Sequence, residues 1–238
     1  MSVPPDEIWF VDLDRSAAML FAQERRVARL SPGEEERAAR LPGREGELRR
    51  VAYIAQRLVL ERLFGPQIRG TVLPRDRHGR PQLPVGLAGA VSLAHTGYFA
   101  LIGCTRERMI GVDLEALRVV KMDARRQGII IAAAMTLTTQ PLPVADQARF
   151  LRAWTRLEAL AKADGRGMGH LLTQIGAVGG AKGAGIVWAA ATAERAGCCV
   201  ADLDVGHGLL ASAAVARAVG DLAVRRLPEE MAALISPL

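Results

Sequence analysis

The sequence predicts an α+β fold built as two pseudosymmetric α/β halves related by internal duplication. Three observations predict it. Val112-Asp113-Leu114-Glu115 echoes Val11-Asp12-Leu13-Asp14 at an offset of 101 residues. The helical pattern of residues 47–64 has a counterpart at 150–163, and the glycines Gly65 and Gly165 follow them. Late in the chain, Gly206-His207-Gly208-Leu209-Leu210-Ala211 resembles Gly97-Tyr98-Phe99-Ala100-Leu101. The halves, residues 1–107 and 108–238, join near residue 108. Short apolar strands also resemble one another by chance, and on these segments alone that alternative stays open.

Taken in order, residues 8–13 read as a first strand, apolar ahead of Asp12 and Asp14. Ser31-Pro32-Gly33-Glu34 opens a helix, with a serine cap, proline at the first helical position and glutamate three residues on. In the helix at 47–64, Leu48, Val51, Ala52, Ala55, Leu58, Val59 and Leu63 recur at three-and-four spacing, and Gly65 sits where a C-terminal cap belongs. Residues 70–86 are polar and proline-bearing, hence loop. The apolar runs 91–94 and 99–105 flank His95-Thr96-Gly97 and predict a hairpin. A third strand covers 109–115, and a second long helix covers 150–163.

At 238 residues, half of them apolar, the chain suits one large domain or two small ones and has an ample core. Its 31 basic and 25 acidic side chains leave a formal charge of +6, and only Lys121, Lys162 and Lys182 are lysines. Arginine's planar fork suits phosphates and carboxylates, so the balance favours an anionic partner, unless the arginines are solvated surface charge. Sparse aromatics, and no helix-turn-helix or zinc-finger pattern, argue against nucleic acid. Cys104, Cys198 and Cys199 form neither a disulfide framework nor a metal-ligand spacing. No apolar run reaches the ~18 residues of a spanning helix, and the N-terminus has no basic patch ahead of an apolar stretch. The expectation is a soluble, cytoplasmic protein with no membrane partner.

Several residues carry chemistry. Asp113 and Glu115 are two apart on a strand and share a face, where flexible carboxylates hold a hard cation, pair with arginines, or lie at a solvated strand edge. Trp154, Glu158 and Lys162 recur every fourth residue on one helical stripe. That spacing fits a surface ion pair, or a carboxylate beside a phosphate clamp. His95 and Thr96 beside a glycine turn, the Arg49/Arg50 pair, and Arg80 between Gly79 and Pro81 are candidate phosphate contacts or ordinary structural and exposed residues.

The order of these pieces is more specific than any one of them. Gly79-Arg80-Pro81, Ser92-Leu93-Ala94-His95-Thr96, Gly111-Val112-Asp113-Leu114-Glu115 and the stretch from Trp154 through Glu158 to Lys162 resemble the Sfp-type 4′-phosphopantetheinyl transferases. That family carries Gly-Lys-Pro, Asn-x-Ser-His-Ser, Gly-x-Asp-x-Glu and Trp-x-x-Lys-Glu-x-x-x-Lys in the same order. The resemblance covers roughly residues 8–215. It implies coenzyme A bound in a cleft between the halves, with the nucleotide on the N-terminal side, and the metal and carrier docking on the C-terminal side. It implies Asp113, Glu115 and Glu158 as ligands of a magnesium ion on the pyrophosphate, a ligand set magnesium favours. Lys162 would neutralise the pyrophosphate, and Arg49, Arg50, Arg80, His95 and Thr96 would hold the adenosine phosphates.

The implied reaction moves phosphopantetheine from coenzyme A to a serine of an acyl or peptidyl carrier protein, serving fatty-acid, polyketide or peptide-synthetase assembly. Adenosine 3′,5′-bisphosphate leaves, and Asp113, Glu158 and Lys162 carry the catalysis. The family suggests a monomer, and acidic carriers suit a basic enzyme. The sequence departs from the pattern at Arg80 for lysine, Ala94 for serine and Leu157 for lysine. It also has no acidic residue between Asp123 and Asp146, where relatives carry an aromatic-Ser…Glu element. A relative that binds coenzyme A or a carrier without transfer is the alternative.

Overall fold

The computed structural model describes residues 6–178, 185, 187–216 and 222–235. Residues 1–5 and Lys182 lie outside them. In chain order the elements are β1 (Asp6–Asp12), α1 (Leu13–Arg26), α2 (Pro32–Ala39), α3 (Gly43–Phe64), β2 (Ala90–Thr96), β3 (Phe99–Thr105) and β4 (Ile110–Glu115). Then follow α4 (Ala124–Met135), α5 (Asp146–Asp164), α6 (Met168–Gln174), α7 (Val187–Ala196), β5 (Cys199–Leu203), β6 (Leu210–Val215), β7 (Val224–Leu227) and α8 (Met231–Ile235). The fold is a mixed α+β one with two small sheets, ordered β2-β3-β1-β7 and β4-β6-β5. Among the described residues no helix is long and apolar enough to cross a membrane.

Strand alternation sorts the side chains into layers. Ile8, Phe10 and Leu101 point from the first sheet into a shared apolar layer with Ile110, Val112, Leu114, Ala213 and Val215 of the second. The opposite faces, Trp9, Val11, Ala100 and Ile102, pack with Leu20 of α1 and with the buried side of α3. On the far side of the second sheet, Leu210 joins Leu157 and Ala161 of α5 and Ile130 of α4. The sheets approach closely enough for the Val112 N–H to donate to Ser92 Oγ at 3.1 Å. The C-terminal segment returns to the first sheet: β7 pairs parallel with β1, and Met231 and Leu234 enter the core on its helical side.

The predicted cap of α2 is a reciprocal box between Ser31 and Glu34, and the hairpin at 91–105 forms as β2 and β3. Three differences from the sequence expectation have physical causes. Residues 11–14 are not one strand like 112–115. Asp12 ends β1 and caps α1 by accepting from Arg15 N at 3.0 Å, so Asp14 opens a helix while Glu115 ends a strand. Helix α1 escapes the apolar pattern because its buried stripe, Leu13, Ser16, Leu20 and Glu24, is half polar. Residues 124–135, where the sequence analysis assigns no element, form α4, capped by Asp123, which accepts from Arg126 N at 2.9 Å.

Candidate functional site

The site begins with a glycine. On β4, Gly111 faces α5 so closely that a Cβ there would overlap Ala159 O and lie 2.6 Å from Ala163 N. Alternation then turns Asp113 toward the same helix, and the four-residue stripe of α5 presents Glu158 and Lys162 to it. Gly111→Ala is expected to lift α5 from β4 and to destabilise by the upper end of the ~1–3 kcal/mol typical of overpacking. Urea unfolding checks this.

Lys162 Nζ donates to Asp113 Oδ1 at 2.7 Å and to the Val112 carbonyl at 3.1 Å, and lies 3.4 Å from Glu158 Oε1. Glu158 Oε2 accepts from Trp154 Nε1 at 2.7 Å, so the tryptophan orients the carboxylate. Asp113 is buried, and its Oδ2 has no partner. Burial pushes the Asp113 carboxyl up to about 7, against the pull of Lys162 and with Glu158 and Glu115 adding repulsion. Burial opposes the charge on Lys162 too, but Asp113 and Glu158 outweigh it and hold the ammonium above its ordinary value.

Beside this cluster lies a cavity of about 360 Å³ between α3, the 75–81 loop, β2 and α5. Glu158 and Lys162 line it from one side, and Arg49, Arg80 and His95 from the others; Asp113 stands behind Lys162. The Arg49 Nη2 donates to His95 Nε2 at 2.7 Å, which requires the neutral ring with its proton on Nδ1. Desolvation by the cavity wall, then the Arg49 and Lys162 charges, lower the His95 pKa, with Glu45 opposing. An NMR titration should therefore place its midpoint below the ordinary 6.5, and Arg49→Ala should move it up. Arg80 is held by its loop: Asp76 Oδ1 accepts from both His78 N at 2.8 Å and Arg80 N at 3.0 Å. Its guanidinium reaches the Ala163 carbonyl at 3.3 Å, which places it across to α5.

Three predicted residues stand apart from the cavity wall. Arg50 pairs with Glu35 at 2.7 Å and lies over the Phe21 ring, turned away from the cavity. Glu115 faces Arg118, which donates to its two oxygens at 3.2 and 3.3 Å. Thr96, at the end of β2, is not among the lining residues. Two departures from the family pattern fall away from the cavity: Ala94 packs between the sheets, and Leu157 packs against α4.

Residues that the sequence did not single out also line the cavity: Tyr53, Gln56 and Arg75. The i, i+4, i+7 spacing of Arg49, Tyr53 and Gln56 on α3 was a usable signal. Arg75 carried none. Burial lowers its pKa, Tyr53 counteracts that, and Arg37 lowers it further; among the described residues no carboxylate lies within ion-pair distance of it.

The donors suit a hard divalent cation in part. Asp113 and Glu158 offer carboxylate oxygens from two elements, and the orphaned Asp113 Oδ2 is the free acceptor such an ion would take. As the side chains stand, Lys162 lies between them and Glu115 is turned to Arg118. Among the described residues no group of three His, Cys, Asp or Glu is gathered as a metal site. Compared with protein-family models and with curated proteins, the chain matches none.

Proposed function

We propose that this protein transfers 4′-phosphopantetheine from coenzyme A to a serine hydroxyl of an acyl or peptidyl carrier protein. One observation carries the reading: Asp113, Glu158 and Lys162 meet, from segments some 45 residues apart, beside a cavity whose other walls supply Arg49, Arg80 and His95. A carboxylate–ammonium cluster next to the guanidinium groups of Arg49 and Arg80 suits a diphosphate ester that must be held and neutralised. In this reading the cavity is the cleft between two duplicated halves, 1–107 and 108–238, with β7 and α8 crossing back to the first.

Each residue then has a task. Arg49, Arg80 and His95 bind the nucleotide phosphates, and Lys162 neutralises the diphosphate. Asp113 and Glu158 would hold magnesium, with Glu115 joining only if released from Arg118; a bound magnesium ion supplies charge neutralisation at the phosphoryl oxygens. The serine Oγ forms a bond to the β-phosphorus as the bond to the departing adenosine 3′,5′-bisphosphate breaks. Glu158, held by Trp154, accepts the serine proton directly or through water. The net charge of +6 steers an acidic carrier to the enzyme.

Incubation with coenzyme A, magnesium and several apo-carriers tests the reading by intact-mass spectrometry. A phosphopantetheine adduct on a carrier serine is the expected result. Coenzyme A binding without an adduct on any carrier would instead make the protein a binder, the reading that Glu115's pairing with Arg118 favours.

A further inference from the structure

The cavity wall contains a buried amide with no partner. Gln56 is only 2% exposed, yet it lines the cavity, on the stripe of α3 that also carries Arg49 and Tyr53. Its Nε2 is buried and makes no hydrogen bond. Native interiors pair such groups, because an unmade bond leaves the desolvation of the donor uncompensated. No neighbour on α3 takes up this amide: Ala52, Ala55 and Val59 are apolar, and the buried Arg57 is committed to Glu34, Ile68 and Thr71. An acceptor on a ligand, reached as the amide turns toward the cavity, would pair this donor.

The chemistry of that acceptor follows from the neighbours. Arg49, Arg75, Arg80 and Lys162 supply the cavity's positive charge, whereas Gln56 is the one carboxamide among its lining residues. The charged parts of an anionic ligand have stronger partners than an amide. Seven residues of helix separate Arg49 from Gln56, about 10 Å along the axis. A phosphate held at Arg49 and His95 therefore leaves an uncharged part of the same molecule within reach of Gln56.

We propose that Gln56 is a specificity-determining residue, donating from Nε2 to an uncharged acceptor on the base or ribose of the nucleotide bound in this cavity. The proposal rests on the coenzyme A reading of the same cavity. Gln56→Met keeps the size and removes the donor. Calorimetric titration of this variant is expected to show about tenfold weaker binding of adenosine 3′,5′-bisphosphate, with inorganic pyrophosphate within about twofold of wild type. The melting temperature of the free variant should not fall, because an unpaired buried donor has been removed.

Unchanged bisphosphate affinity overturns the proposal and leaves the coenzyme A reading intact. Equal losses for bisphosphate and pyrophosphate, or a lowered melting temperature, overturn it in favour of a structural role. Wild-type protein that binds no bisphosphate overturns both readings together. Should the variant not fold, the wild-type protein decides by NMR. The Gln56 side-chain NH₂ signals should shift with the bisphosphate and stay in place with pyrophosphate; a shift with both, or with neither, overturns the proposal.

Discussion

Asp113→Asn is expected to slow the proposed phosphopantetheine transfer about 10²- to 10³-fold, the range seen when one preorganised electrostatic contact is removed from a reacting centre. The variant keeps the shape of the side chain and removes the charge. It leaves Lys162 with only Glu158 as an ionic partner and the Val112 carbonyl as a neutral one. It also replaces one of the carboxylates proposed to hold magnesium with an amide, which binds a hard cation less well. Initial rates by intact-mass spectrometry at saturating coenzyme A and magnesium check this, with circular dichroism to confirm the fold. A variant turning over at the wild-type rate would remove Asp113 from the site.

Arg57→Ala should destabilise the protein by about 3–5 kcal/mol, the cost of breaking a buried ion pair from one side. Arg57 is fully buried on α3 and donates to Glu34 from Nε and from Nη2, the latter at 2.7 Å. Its remaining hydrogens go to the Ile68 carbonyl at 2.9 Å, the Thr71 carbonyl at 2.6 Å and Thr71 Oγ1 at 3.4 Å. Glu34 accepts from Ser31 N and Oγ as well, so one guanidinium joins the cap of α2 and the loop after α3 to the middle of that helix. Alanine would leave a buried carboxylate and two carbonyls without it. Guanidinium-chloride unfolding measures the loss, and a midpoint within error of wild type would contradict this account. Because α3 carries Arg49, Tyr53 and Gln56 to the cavity, ligand affinity should fall with stability.

Much of the local structure was legible. The box at Ser31 and Glu34, the glycine after α3, the hairpin around Gly97 and the strand carrying Asp113 all follow from interactions among residues close in sequence, and all are present. Helix α1 was not legible, because Ser16 and Glu24 occupy buried positions where a periodic reading expects apolar side chains. Glu24 is tolerated there because its Oε1 accepts from Arg29 N at 2.8 Å and Leu30 N at 3.0 Å. Those partners lie beyond the helix, where hydropathy carries no trace of them.

The candidate site divides the same way. The spacing of Glu158 and Lys162 on a helix, and of Gly111, Asp113 and Glu115 on a strand, determined by itself which side chains share a face. Only the tertiary structure decided which of them meet. Gly111 lets α5 settle on β4, which brings Lys162 to Asp113, while Arg118 draws Glu115 aside. Arg49 and Arg50 make the point most simply. They are adjacent and chemically alike, yet a helix turns 100° per residue. Packing of α3 against the first sheet sets its rotation, so that Arg49 meets His95 in the cavity and Arg50 meets Glu35 outside it.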